Sequence, residues 1–144
     1  MDFQSIDSLK NISKKIALIE AVIEPEWEYR YYSYNSKWSD SEEMASMRDG
    51  SGNYYFILFS GSQCFIKVID KMHNYKDEAM RTLDAMDIDS QKSISAFLNE
   101  PAFYTDELSY LYWNTNGTWN SIEMNEHSWL NILHDRVPEY IRFA

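Results

Sequence analysis

Three histidines, one cysteine and a scatter of carboxylates are the residues of this chain that could ligate a metal or move a proton. His127 and His134 stand seven apart, about two turns of a helix, so a helix would carry both on one face. His73 is distant in sequence. Zinc centres draw on closer spacings and further donors, and neither Glu123 nor Glu126 completes a His-Glu-x-x-His pattern. No metal and no cofactor is expected. Cys64 lies in the run Gln63-Cys64-Phe65-Ile66, with Lys67 the one cation close by. A reactive thiol needs a neighbouring base or positive field, so Cys64 reads as a small buried hydrophobe.

The remaining chemistry-bearing patterns read as structure. Glu42 and Glu43 are adjacent on an expected strand, so they face opposite ways and cannot act as a facing acid–base pair. Asp49-Gly50-Ser51-Gly52 looks like a phosphate cradle only until Asn53, where a strand opens instead of the Lys-Ser/Thr and helix that a phosphate loop requires. Ser51 and Ser60 lack the Gly-x-Ser-x-Gly elbow of hydrolases. No catalytic residue is assigned, and a binding protein is favoured over an enzyme.

The elements that would position these residues follow from hydrophobic spacing. Ile6, Leu9, Ile12, Ile16, Ile19 and Ile23 step by three or four, which predicts a helix over 5–23, stopped by Pro25. From Trp27 the period changes to two, which predicts a strand with Trp27, Tyr29 and Tyr31 on one face. Residues 35–41 read as a polar loop containing Trp38. Strands are expected over 42–48, 53–60 and 63–70, joined by the Asp49–Gly52 turn and by Gly61-Ser62. Tyr55, Ile57 and Phe59 alternate with Tyr54, Phe56 and Leu58, so the second of these is apolar on both faces and belongs in the centre of a sheet. Residues 75–99 read as one or two helices, with a break at 87–90 and Asp89 or Ser90 as the second cap. Strands over 107–113 and 118–124 are expected to meet at a type I′ turn on Asn116-Gly117. A last helix follows from about Glu126, with Trp129, Ile132 and Leu133 on its apolar side. Together these give an α+β fold over residues 1–144, a single domain. It has a mainly antiparallel sheet of about six strands, an N-terminal helix, one or two middle helices and a C-terminal helix.

The chain has 144 residues, of which 16% are aromatic, and a formal net charge of −10. Residues 24–49 hold seven acids against three bases, and residues 75–107 hold eight against three. Such a chain repels phosphate backbones and attracts basic partners, which argues against nucleic-acid binding and points to a basic protein. The longest apolar runs are too short to span a bilayer, so no membrane association is expected. The start, Met1-Asp2-Phe3-Gln4, has no basic region before an apolar core, and the lone cysteine fits a reducing compartment, so a cytoplasmic location is expected.

The most distinctive stretch is Trp27-Glu28-Tyr29-Arg30-Tyr31-Tyr32-Ser33-Tyr34, followed by Trp38. Aromatics interleaved with arginine are enriched at protein interfaces. This block, with Met-Arg-Asp-Gly-Ser-Gly-Asn-Tyr-Tyr-Phe over 47–56, resembles a family of small, functionally unassigned bacterial proteins. In size, acidity and α+β build these resemble immunity proteins of bacterial toxin systems. The resemblance offers no catalytic motif and carries over no functional residue. The charge, the aromatic surplus and the absence of a catalytic constellation point to a non-enzymatic binding protein, an immunity-type inhibitor that covers a basic toxin domain. On that reading Trp38 anchors the partner, and Asp40, Glu42, Glu43 and Asp49 attract it. Two other readings compete: a small enzyme or ligand-binding domain with an aromatic and acidic pocket, and a mimic of nucleic acid whose carboxylates replace phosphates. Residue types alone do not fix the oligomeric state.

Overall fold

The computed structural model describes residues 5–70, 74, 76–115 and 117–122. The expected C-terminal helix, His73, His127, His134 and Asn116 lie outside them. Helix α1 (Ile6–Ile23) is capped by Ser5, whose hydroxyl accepts from the Ser8 N–H, and it stops directly before Pro25. Leu9, Ile12 and Ile16 are buried as the spacing predicts, while Ile23 at the end of the stripe is half-exposed. Six strands follow: β1 (Tyr32–Asn35), β2 (Glu42–Arg48), β3 (Tyr54–Ser60), β4 (Gln63–Ile69), β5 (Tyr110–Asn114) and β6 (Trp119–Ile122). Between β4 and β5 come α2 (Lys76–Asp84), α3 (Ile88–Leu98) and a short 3₁₀ turn at Pro101–Phe103. The sheet is antiparallel throughout and its strands lie in chain order. The fold class is therefore α+β, as the sequence predicts.

Helices cover the sheet on both faces. Tyr55, Ile57 and Phe59 of β3 join Leu9, Ile12 and Ile16 of α1 in one core. Phe56 and Leu58 join Leu83 of α2, Phe97 of α3 and Phe103 in the other. Two-sided burial is the reason β3 carries an unbroken apolar run. Glu43 faces α1, where Lys10 Nζ and Lys14 Nζ reach its carboxylate at 2.9 and 3.4 Å. The hydrogen bond from Lys10, reinforced by Lys14, holds that carboxyl below its ordinary value despite partial burial.

The structure corrects three expectations. Trp27–Tyr29 is a 3₁₀ turn, and the first strand starts only at Tyr32. Side-chain bonds fold this segment back: Arg30 donates to the carbonyls of Glu24 at 2.7 Å and Pro25 at 2.9 Å, and the Glu20 carboxylate accepts the Tyr31 N–H at 2.6 Å. Such bonds override a strand-like residue pattern. Helix α3 starts at Ile88, and it is the Asp87 carbonyl that accepts the Gln91 N–H, so Asp87 stands at the cap position and Asp89 and Ser90 fall inside the first turn. The last hairpin pairs Asn114 with Trp119, which leaves four residues in its loop and not two. There the Asn114 side-chain oxygen accepts the Gly117 N–H at 2.9 Å, and Gly117 takes φ +90.

Candidate functional site at the aromatic end of the sheet

Strand direction sorts the residues of interest to two ends of the sheet. Pairing of Arg48 with Tyr54 and of Tyr54 with Ile69 defines one end; pairing of Glu42 with Ser60 defines the other. The seven residues of β2 separate these ends by roughly 20 Å. Trp38, Asp40 and Glu42 lie at the Glu42 end. The Trp38 indole stacks on Phe103 with centroids 5.3 Å apart, so it is partly committed to packing beneath α3. Asp40 is exposed, and Glu42 accepts from the Ser39 hydroxyl at 3.2 Å. Asp49 lies at the opposite end, where its carboxylate accepts from the N–H groups of Ser51 and Asn53 and from the Asn53 amide. Glu43 is held under α1. The five residues assigned to partner binding from sequence are thus brought to three places.

Exposed aromatic surface concentrates at the Arg48–Tyr54 end. Of nine large hydrophobic residues exposed among the described residues, six fall between Leu18 and Tyr31. Trp27 is 60% exposed, Tyr29 67% and Tyr31 51%. They sit where the Arg30 fold-back and the end of α1 meet the edge strand β1. The surface continues across the sheet end. The Arg48 guanidinium lies 4.7 Å from the Trp27 ring centre, Arg48 pairs with Tyr54, and the Tyr54 ring is 5.0 Å from that of Tyr104. Glu26, Glu28, Asp106 and Glu107 are exposed around it.

Two hollows flank Tyr54. A shallow one of about 310 Å³ is lined by Glu28, Tyr29, Tyr31, Arg48 and Gly50. A larger cleft of about 660 Å³ runs from Gly52 to the 104–107 loop, lined by Tyr54, Asp70, Tyr104, Asp106 and Glu107. Its wall is firmly built. Asn74 accepts from the N–H groups of Lys76 and Leu108, and the Ser109 hydroxyl accepts from the Asp70 N–H and donates to the Asp70 carbonyl. Tyr104 has φ +57, a left-handed conformation uncommon for an aromatic residue. Lys67, 1% exposed in the middle of β4, pins it by donating from Nζ to the Tyr104 carbonyl at 2.6 Å. Burial, aided by Lys76, pushes the Lys67 ammonium down to about 8. Burial also pushes the Tyr54 phenol up, with Tyr104 adding to the effect.

Sequence reasoning singled out Trp27, Tyr29 and Tyr31 but placed them in a strand, and it passed over the 104–107 loop. The mixture Tyr104-Thr105-Asp106-Glu107 just before an apolar strand was the available signal. Among the described residues no three His, Cys, Asp or Glu side chains stand close enough together to hold a metal ion, and no helix is long and apolar enough to cross a membrane. Cys64 is fully buried, and burial pushes its thiol well above the ordinary value, against any nucleophilic role. No known protein family, curated protein or solved structure matches this chain.

Proposed function

We propose that the chain is a non-enzymatic protein-binding module that docks a basic protein and covers its working surface, as an immunity-type inhibitor covers a toxin domain. The observation that carries this reading is the set of exposed aromatic side chains, Trp27, Tyr29, Tyr31 and Tyr104, linked through half-buried Arg48 and Tyr54, among carboxylates at one end of the sheet. Isolated exposed hydrophobics need no explanation, whereas a contiguous patch rimmed by charge fits a protein interface. Trp and Tyr bring large rigid contact area, and the net charge of −10 selects a partner of opposite sign. Inhibition on this reading is steric, so it needs no catalytic group.

Capture of partners from the source cell with the full chain as bait, followed by mass spectrometry and binding kinetics, tests the proposal. One stoichiometric basic protein is expected. Trp27→Ala and Tyr29→Ala should each raise its dissociation rate at least tenfold, while Trp38→Ala lowers the melting temperature and leaves that rate within twofold. Recovery of no basic partner, or dissociation rates unaffected by the Trp27 and Tyr29 changes, sinks the reading.

A further inference from the structure

We propose that the cleft between the 49–53 turn and the 104–107 loop receives the guanidinium group of an arginine side chain presented by the docked partner. This assignment rests on the protein-binding reading above, of which it specifies one contact. At about 660 Å³ the cleft falls in the range of small-ligand sites and has room for an arginine side chain with its neighbours. Part of its lining is aromatic. The Tyr54 and Tyr104 rings pack against each other, 5.0 Å apart and tilted by 39°, and form one continuous aromatic surface against which a planar cation can lie. The described residues lining it include three carboxylates, Asp70, Asp106 and Glu107, and no lysine or arginine. Lys76 stands outside the lining, 3.8 Å from one oxygen of Asp106, and Lys67 lies beneath the floor, bonded to the Tyr104 carbonyl. Carboxylates beside aromatic faces match the planar fork of guanidinium better than the compact, strongly hydrated ammonium of lysine.

The cleft is also pre-formed. Tyr104, whose ring lines the cleft, is held at positive φ, and its carbonyl accepts from Lys67, a lysine buried at 1% exposure; each is unfavourable by itself, and the bond between them fixes this wall. A wall fixed before binding spares the partner the loss of freedom that ordering a loop would add.

The test is nuclear magnetic resonance titration of the full chain with N-acetyl-arginine methylamide, its lysine counterpart and its uncharged citrulline counterpart. The arginine compound should give saturable shifts confined to the amides of Gly52, Tyr54 and Tyr104 to Glu107. The lysine compound should bind several-fold more weakly and the citrulline compound not at all. The double variant Asp106→Asn, Glu107→Gln changes two exposed side chains, so it keeps the fold, and it should weaken arginine binding at least fivefold. It should also weaken the captured partner at least fivefold. Absence of shifts, equal binding of the citrulline compound, or unchanged binding by the double variant overturns the site. Arginine binding lost in the variant while the partner binds unchanged shows a site for a free guanidinium compound and overturns the partner contact, with the docking reading intact. Arginine binding with no protein partner recovered fails the docking reading alone and removes the partner as the source of the guanidinium.

Discussion

Lys67 is the residue where placement and chemistry conflict most. It sits in β4 between Phe65 and Ile69, on the sheet face that packs against α2 and α3, and is 1% exposed. Its amine loses hydration and gains one hydrogen bond, to the Tyr104 carbonyl. Burial pushes its folded-state value down to about 8 from an ordinary 10.5, so the unfolded chain holds the proton more tightly. Stability is thus lowered while the lysine is charged, and it recovers as pH rises through about 8 toward 10.5. Cys64 acts in the opposite sense. Its thiol is pushed above an ordinary value of 9, so the unfolded chain ionises first and stability falls above that pH. Urea unfolding should therefore show wild-type stability rising between pH 8 and 9, whereas Lys67→Met loses that rise. Parallel curves for the two proteins would mean that Lys67 keeps its ordinary titration in the fold. The sequence marks Lys67 only as a cation near Cys64; that it pins a left-handed Tyr104 depends on a contact across 37 positions.

Single side chains set the geometry of whole elements in the turns that bound the strands. Asp49 accepts three hydrogen bonds within five residues, including the two backbone N–H groups of Ser51 and Asn53, while Gly50 and Gly52 take positive φ. Asp49→Ala should cost about 1 kcal/mol of unfolding free energy by removing the acceptor of these exposed and half-buried turn bonds. A change under 0.5 kcal/mol in chemical denaturation would free Asp49 for the partner-binding role that its charge suggests. Asn114 does similar work in the last hairpin: buried, with its oxygen on the Gly117 N–H. Asn114→Ala should destabilise by about 1–2 kcal/mol, read in the same assay. What the sequence showed at this scale was whatever has a period. The stripe of α1, the two-faced apolar run of β3 and the meander from Glu42 to Ile69 are all periodic, and all occur as predicted. The segment 24–31 was misread because Arg30 and Glu20 bond to backbone groups, and such bonds leave no period in the residue types. Trp38 looked free in a polar loop because its stacking partner, Phe103, lies 65 positions away.

At the scale of the molecule, the antiparallel order β1 to β6 creates two ends, and charge and aromatic surface divide between them unevenly. Both ends carry carboxylates, so composition could name an acidic binder without saying which end binds. The exposed aromatics belong to the end that holds Glu26, Glu28, Asp106 and Glu107. No single segment revealed it, since Trp27, Tyr54 and Tyr104 come together only after the meander folds. The distance between ends makes the choice testable. In physiological salt, electrostatic influence decays over about 8 Å, well short of the roughly 20 Å spanned by β2. A basic partner approaching the aromatic end should therefore feel Glu26 and Glu28 and scarcely feel Asp40 and Glu42. The paired variants Glu26→Gln with Glu28→Gln and Asp40→Asn with Glu42→Gln remove equal charge, so any difference between them reports position. At physiological ionic strength the first pair should slow association about threefold or more and flatten its salt dependence, with little change in dissociation, because rim charges act on encounter. The second pair should leave association within about 1.5-fold of wild type, since its charges lie beyond the screening length. At roughly 10 mM salt the screening length grows to about 30 Å, and both pairs should then slow association. If the Asp40 and Glu42 pair has the larger effect in physiological salt, the partner docks at the Trp38 end, and the aromatic surface around Trp27 is not its contact.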